Sequence, residues 1–252
     1  MRVGLLHPGD MGAAIGAMLV EQGHVVLWDS QGRSDQTAGR AAAAGLTAAE
    51  DVRDADVILS VCPPHAALEV ARSLRGTAAL VIEANAVSPA TARAIGELLG
   101  DRWVDGGIVG PPPRRDGTTR LYLSGPRATE ASRLFQETRL EPVVLSGSPV
   151  AASSLKMAYA AWTKGSAALL LAALGSAQAN GVEDALRAEW RRSLPDLEAR
   201  WESASDSAAA KGWRWVGEMN EIAATFAAAG LPSGFHQAAA EMFERAVRAR
   251  VR

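Results

Sequence analysis

The chain has 252 residues, enough for one large or two ordinary domains, with 48% apolar residues and a formal net charge of −2. That balance excludes a disordered chain and a nucleic-acid-coating one, and arginines occur singly without a long basic run. One cysteine, Cys62, excludes an internal disulfide framework and a cysteine-rich metal site, so no metal is expected.

Met1 to Leu6 is an apolar run that reads as a buried strand. No charged leader with a cleavage site precedes it, so a cytoplasmic protein is expected. His7-Pro8-Gly9-Asp10-Met11-Gly12 follows and leads into a helix rich in small residues (Ala13, Ala14, Gly16, Ala17). The join resembles the G-x-G-x-x-G turn of a dinucleotide-binding βαβ unit, with His7 at the first glycine position. Such a turn needs a backbone that lets a pyrophosphate approach and free N–H groups at a helix N-terminus; Gly9 and Gly12 meet both needs. Gln22-Gly23 breaks the helix, and His24 to Trp28 is a second strand. Asp29 stands 22 residues after His7, where such folds place the residue that reads the ribose. Here Asp29 favours NAD(H), whereas Ser30, Arg33 and Ser34 favour the 2′-phosphate of NADP(H). Arg33 has a second reading, as an ordinary solvated arginine. The pattern leans to NADP(H), with NAD(H) the alternative.

Arg40 to Ala44 looks helical and Gly45 ends it; Asp56 to Val61 is a strand of the kind buried on both faces. Cys62-Pro63-Pro64 leaves that strand at its carboxyl end, where ligands of open α/β sheets bind, and forms a wall beside the cofactor. Cys62 has no evident base partner and reads as a small apolar filler; His65 begins a helix. Leu80 to Glu83 is another strand. After it, Ser88 caps a helix with Pro89 at its first position, and Asn85, earlier in the loop, is the ligand candidate. Trp103 to Asp105 is a short strand, followed by a Gly/Pro-rich loop from Gly106 to Pro113 that suits a substrate-facing rim. Thr118 to Ser124 and Val143 to Leu145 add strands with a helix between, and the domain ends near Gly147.

Gly9-Asp10-Met11-Gly12, the strand into Cys62-Pro63-Pro64, Glu83-Ala84-Asn85, Asp105-Gly106-Gly107-Ile108-Val109-Gly110 and Ser153-Ser154-Leu155-Lys156-Met157 occur in this order. The series resembles the β-hydroxyacid dehydrogenase and 6-phosphogluconate dehydrogenase superfamily over about two-thirds of the chain. The run from Gly212 to Pro232 looks like a less characterised branch with a short helical C-terminal domain. The resemblance implies an NAD(P)-dependent oxidoreductase of small carbonyl or hydroxyl compounds, with Lys156 as general acid and base. It also places Val109 and Gly110 at the substrate turn. Val109-Gly110-Pro111 stands where the family has Ser-Gly-Gly, and Tyr159-Ala160 where an asparagine normally follows the lysine. The usual carboxylate-binding groups are therefore mostly missing. Related imine reductases share the architecture but tend to lose the lysine. An imine or enamine reductase and a non-catalytic dinucleotide sensor are the alternatives.

From Ala151 to about Asn180 the chain reads as one long helix. It is apolar, but Lys156 and Lys164 interrupt it, so a buried helix is expected in place of a membrane span. Lys156, Tyr159, Ala160, Thr163 and Lys164 fall on one face. Tyr159 is a candidate proton relay, Lys164 a second catalytic candidate and Thr163 a substrate contact. Glu183 to Arg192, Pro195 to Ala209, Trp213 to Ala229 and Phe235 to Val251 supply further helices, with Gly230-Leu231-Pro232 a sharp stop. Glu218 and Asn220 have no assigned role. The expected fold is α/β: a Rossmann-type doubly wound sheet over 1–150, then a smaller all-α domain over 151–252. Short helices around one long one make a small core, so a homodimer through this domain is expected.

Overall fold

The computed structural model describes residues 1–250. The chain forms two units, Met1–Lys156 and the remainder from Met157. In chain order the first unit comprises β1 (Arg2–Leu5), α1 (Asp10–Glu21), β2 (Val25–Asp29), α2 (Asp35–Ala43), β3 (Thr47–Ala49), β4 (Val57–Ser60) and α3 (Ala67–Ser73). It continues with β5 (Leu80–Glu83), α4 (Pro89–Leu99), β6 (Trp103–Val109), β7 (Thr119–Ser124), α5 (Ala128–Ser132) and β8 (Leu140–Val144), and ends on the first turns of α6 (Ala151–Ala179).

The sheet order is β3-β2-β1-β4-β5-β6-β7-β8, parallel except where β6 meets β7. Alternating residues of each strand face opposite layers. Val3, Leu5, Leu59 and Ile82 join Ile15, Met18 and Leu19 of α1 on one side. Leu6, Ile58, Val81 and Trp103 join Ala71 and Ile95 of α3 and α4 on the other. Strand order reverses between β1 and β4, so the crevice for a ligand opens at their carboxyl ends, beside His7 and Cys62.

The first unit differs from expectation at three points. The helix expected over Arg40 to Ala44 begins at Asp35, because the Ser34 hydroxyl accepts the Thr37 N–H and starts it a turn earlier. The strand Thr47–Ala49 has no apolar run to announce it and is held by pairing with β2. Gly106 to Val109 is not loop: β6 continues through Val109, fully buried and paired with β7. Its glycines fit close neighbours, as a Cβ on Gly107 would stand 2.8 Å from the Ala152 carbonyl oxygen.

The second unit consists of α6 from Met157, α7 (Glu183–Ser193), α8 (Leu197–Ala228) and α9 (Gly234–Arg250). The two helices expected over Pro195 to Ala209 and Trp213 to Ala229 are one 32-residue helix, α8. Gly212 is no break: it lets α9 approach, and a Cβ there would meet Val247 at 3.0 Å. Trp215 of α8 meets Phe243 of α9 edge to face at 4.9 Å. The last helix was expected to reach Val251; that residue and Arg252, the expected end of the domain, lie outside the described residues.

Candidate functional site

The turn between β1 and α1 is built for an anion. Gly9 is the N-cap of α1 and offers no side-chain cap, so the first-turn N–H groups remain for a ligand. A Cβ on Gly9 would meet nothing within 4 Å, which leaves open space beside the turn. Gly12 is the reverse case, since a Cβ there would lie 2.4 Å from the His7 carbonyl oxygen. Only glycine lets α1 pack so close to the turn. Pro8 is buried, Met11 packs on the core, and Asp10 reaches outward to Arg114 at 2.6 Å. His7 brings a buried Nδ1 with no protein hydrogen-bond partner. Burial and then the Arg33 charge hold its imidazole at a pKa of about 4, so it is neutral at physiological pH. An orphaned nitrogen next to an open glycine turn fits a dinucleotide.

At the end of β2 the two rival cofactor determinants bind each other. Arg33 Nη2 donates to Asp29 Oδ2 at 3.0 Å and to the Leu6 carbonyl at 3.3 Å, and its Nε donates to the Asp29 carbonyl at 3.4 Å. Asp29 is thereby neutralised, and the arginine lies across the end of the first two strands. Ser30 donates its hydroxyl to the Ala49 carbonyl at 3.0 Å. Ser34 is engaged as the α2 cap and shares a hydroxyl contact with Thr37 at 3.1 Å. Sequence reasoning missed Arg40, whose Nε donates to the Pro8 carbonyl at 3.2 Å and ties α2 to the phosphate turn. Its position nearly two turns after the Ser34 cap was the available signal.

Across the crevice, Cys62 is buried and burial, with the Glu83 charge, pushes its thiol up to about 12, so it is inert as a nucleophile. Pro63 and Pro64 lead into a short 3₁₀ turn. Asn85, expected as a ligand contact, is a brace in this structure. It is 2% exposed, its Oδ1 accepts the Cys62 N–H at 2.5 Å and its Nδ2 donates to Ser60 Oγ at 3.1 Å. Both side-chain functions join the ends of β4 and β5.

Lys156 arrives at the carboxyl edge of β6 from the start of α6. Its Nζ donates to the Ile108 carbonyl at 2.7 Å. Burial brings its pKa from 10.5 down to about 8. The α6 start is held by Asp105, whose carboxylate accepts from Ser153 N at 2.9 Å, Ser153 Oγ at 2.5 Å and Ser124 Oγ at 2.8 Å. Burial raises the Asp105 pKa, and the serine hydrogen bonds oppose that rise. Val109 and Gly110, the expected substrate turn, lie where β6 ends. Val109 is 3% exposed inside the sheet, and Gly110 has φ +124° with the Thr118 carbonyl where a Cβ would be, so both serve the bend between β6 and β7.

Three further candidates belong to the second unit. Tyr159 is 47% exposed, and Thr163 donates its hydroxyl to the Tyr159 carbonyl at 3.2 Å. Lys164 forms a largely buried ion pair with Glu218, 5.8 Å from the Trp215 ring centre, which corrects its reading as an available catalytic amine and gives Glu218 its place. Lys164 lines an open groove of about 900 Å³ among α6, α7 and α8, together with Trp162, Leu169 and Trp190.

Comparison with known proteins agrees with this geometry. Residues 2–86 match the family model described as NADP oxidoreductase, coenzyme F420-dependent, and residues 177–246 match a domain of unknown function, DUF1932. An uncharacterised 28.5 kDa protein of Methanothermus fervidus is 28% identical over 193 residues, 74% of either chain. A solved conserved protein of unknown function, noted for its similarity to 3-hydroxyacid dehydrogenases, superposes with TM-score 0.73. It is 27% identical and the match covers 100% of this chain and 98% of that one. The 3-hydroxyisobutyrate dehydrogenase of Salmonella typhimurium shares the fold with TM-score 0.73 at 18% identity, over 99% and 95% of the two chains. The chain thus joins an N-terminal match to an NADP oxidoreductase model with a C-terminal match to a domain of unknown function, and it is similar to a protein noted for its likeness to 3-hydroxyacid dehydrogenases.

Proposed function

We propose that this protein is a cytoplasmic NADP(H)-dependent oxidoreductase of a small carbonyl or hydroxyl compound, with Lys156 as general acid and base. The observation that carries the reading is Lys156 itself: a buried amine of pKa about 8, fixed at the carboxyl edge of the same sheet that bears the dinucleotide turn. His7, Gly9 and the first turn of α1 would hold the diphosphate. Arg33, with Ser34 at the α2 N-terminus, would hold the 2′-phosphate. When bound, the cofactor supplies or accepts the hydride. Lys156 in its ammonium form has three donors, and one goes to the Ile108 carbonyl. Another donates to the carbonyl oxygen as it becomes a hydroxyl, and the neutral amine takes that proton back in oxidation. Reduction therefore weakens as pH rises through about 8, and oxidation strengthens.

Turnover of NADPH with a panel of small aldehydes, ketones, 3-oxo acids and cyclic imines tests this. Lys156→Ala lowers turnover about 10²–10⁴-fold with NADPH affinity nearly unchanged. Near-wild-type turnover in that variant removes Lys156 from the mechanism. Activity confined to imines reassigns the substrate class, and tight NADPH binding without any turnover makes the protein a dinucleotide sensor. NADPH should bind at least about tenfold more tightly than NADH, a preference that Arg33→Ala erases, since a charge-assisted hydrogen bond contributes roughly 1.5–3 kcal/mol.

The second unit supports a homodimer. Trp162 and Leu169 of α6 are 69% and 71% exposed. α6 is long and apolar enough to cross a membrane by length and composition, but it carries Lys156 and the Lys164–Glu218 pair. A neighbouring subunit covers such a face better than lipid does. Light scattering at micromolar concentration reads the dimer directly, and a monomer refutes it.

A further inference from the structure

Three adjacent strands place polar side chains in one row. Glu83 of β5, Asp105 of β6 and Ser124 of β7 are in register, each at most 2% exposed. A carboxylate buried in a sheet is costly unless its hydrogen bonds are complete. Asp105 completes them on the first turn of α6, where Ser153 gives both its N–H and its hydroxyl. Ser124 donates to Asp105 and accepts the Ala152 N–H at 2.9 Å. Two N–H groups that a helix start leaves without intrahelical partners are thus satisfied from the sheet. Two residues along β6 from Asp105, Gly107 brings strand and helix into contact, with a would-be Cβ 3.1 Å from Lys156 Cβ. One residue further, the Ile108 carbonyl receives Lys156 Nζ. Consecutive stations of one strand therefore hold consecutive turns of one helix, and Lys156 is the last of them.

We propose that Asp105 is a positioning residue for Lys156: its carboxylate clamps the α6 start to β6 and so sets where the amine sits and how deeply it is buried. The proposal rests on the reading of Lys156 as the proton-transfer group, but it is testable apart from it. The ionisable neighbours on the elements packed against Asp105 are Glu83 on β5 and Lys156 on α6, with Ser124 on β7 uncharged.

The chain has only three lysines, Lys156, Lys164 and Lys211. A ¹³Cε-lysine NMR titration of the full-length protein therefore resolves Lys156 directly, with Lys156→Met assigning its signal. In Asp105→Asn the clamp is weakened and the amine gains water, so its midpoint moves up toward 10.5, with proton affinity rising at least tenfold. Simple loss of a nearby negative charge moves it down, so the direction separates positioning from through-space electrostatics. A folded Asp105→Asn protein whose Lys156 midpoint is unchanged or lower overturns the proposal. If that variant does not fold, Ser153→Ala decides: it removes one of the three bonds, so a smaller rise supports the clamp and an unmoved midpoint overturns it. Turnover separates the two readings. A raised midpoint with unaltered kcat keeps the clamp and sinks Lys156 as the proton donor. An unmoved midpoint, with Lys156→Ala inactive, sinks the clamp and keeps the donor.

Discussion

Substituting Lys156 by methionine makes the burial of its amine measurable as stability. Its folded pKa of about 8 lies below the ordinary value of 10.5. Below pH 8 the folded state holds a charged amine at a cost, and between 8 and 10.5 the unfolded chain binds more protons than the folded one. Stability therefore rises with pH across that window. At 1.36 kcal/mol per pKa unit the full displacement is roughly 3 kcal/mol, and partial solvent access reduces the expected effect to about 2 kcal/mol. Lys156→Met removes the titration, so the difference in unfolding free energy, wild type minus variant, should climb by about 2 kcal/mol from pH 7.5 to pH 10.5. Other groups titrate alike in both proteins and cancel. Urea unfolding of both proteins at three or four pH values measures it, with equal slopes required for the comparison. A difference that stays flat, or falls, means that the amine is not buried in solution, and the acid–base reading loses its physical basis.

Two other substitutions test the phosphate turn and the second unit. Gly12→Ala places a methyl group 2.4 Å from the His7 carbonyl oxygen, so α1 must withdraw from the turn. The expected cost is about 1–3 kcal/mol of stability, together with about tenfold weaker NADPH binding; unaltered thermal unfolding and cofactor titration would show that the turn is looser than described. Glu218→Leu removes the carboxylate that pairs with the largely buried Lys164 and should destabilise the protein by about 2–4 kcal/mol, whereas Glu218→Leu with Lys164→Met should recover most of the loss. A double variant no more stable than the single one would contradict a coupled pair.

Much of the first unit is legible from local rules. Apolar runs bounded by glycine and polar residues mark β1, β2, β4 and β5, because a strand buried on both faces must be apolar along its length. Ser88-Pro89 announces a helix start through cap chemistry that needs no tertiary partner. Gly12 announces the turn, since the steric demand on it comes from His7 and Leu5, only a few residues away. The long helix from Ala151 follows from its composition.

The tertiary structure decided what depends on residues far apart in the chain. Gly106-Gly107 and Gly212 read as breaks, yet they are the points where β5 and α6 approach β6 closely enough to exclude a Cβ, and where α9 approaches α8 closely enough to crowd one. Asn85 looks available to a ligand, but its side chain is consumed by Ser60 and Cys62. Lys164 and Lys156 are alike in sequence. One meets Glu218, 54 positions away, and stays an ion pair. The other donates to the Ile108 carbonyl, and burial lowers its pKa. Amino-acid identity determines which groups are present and where the strands and helices with strong local signals form. Only the packing of distant segments determines which polar group is desolvated and which is neutralised, because both depend on what the fold brings within a few ångströms.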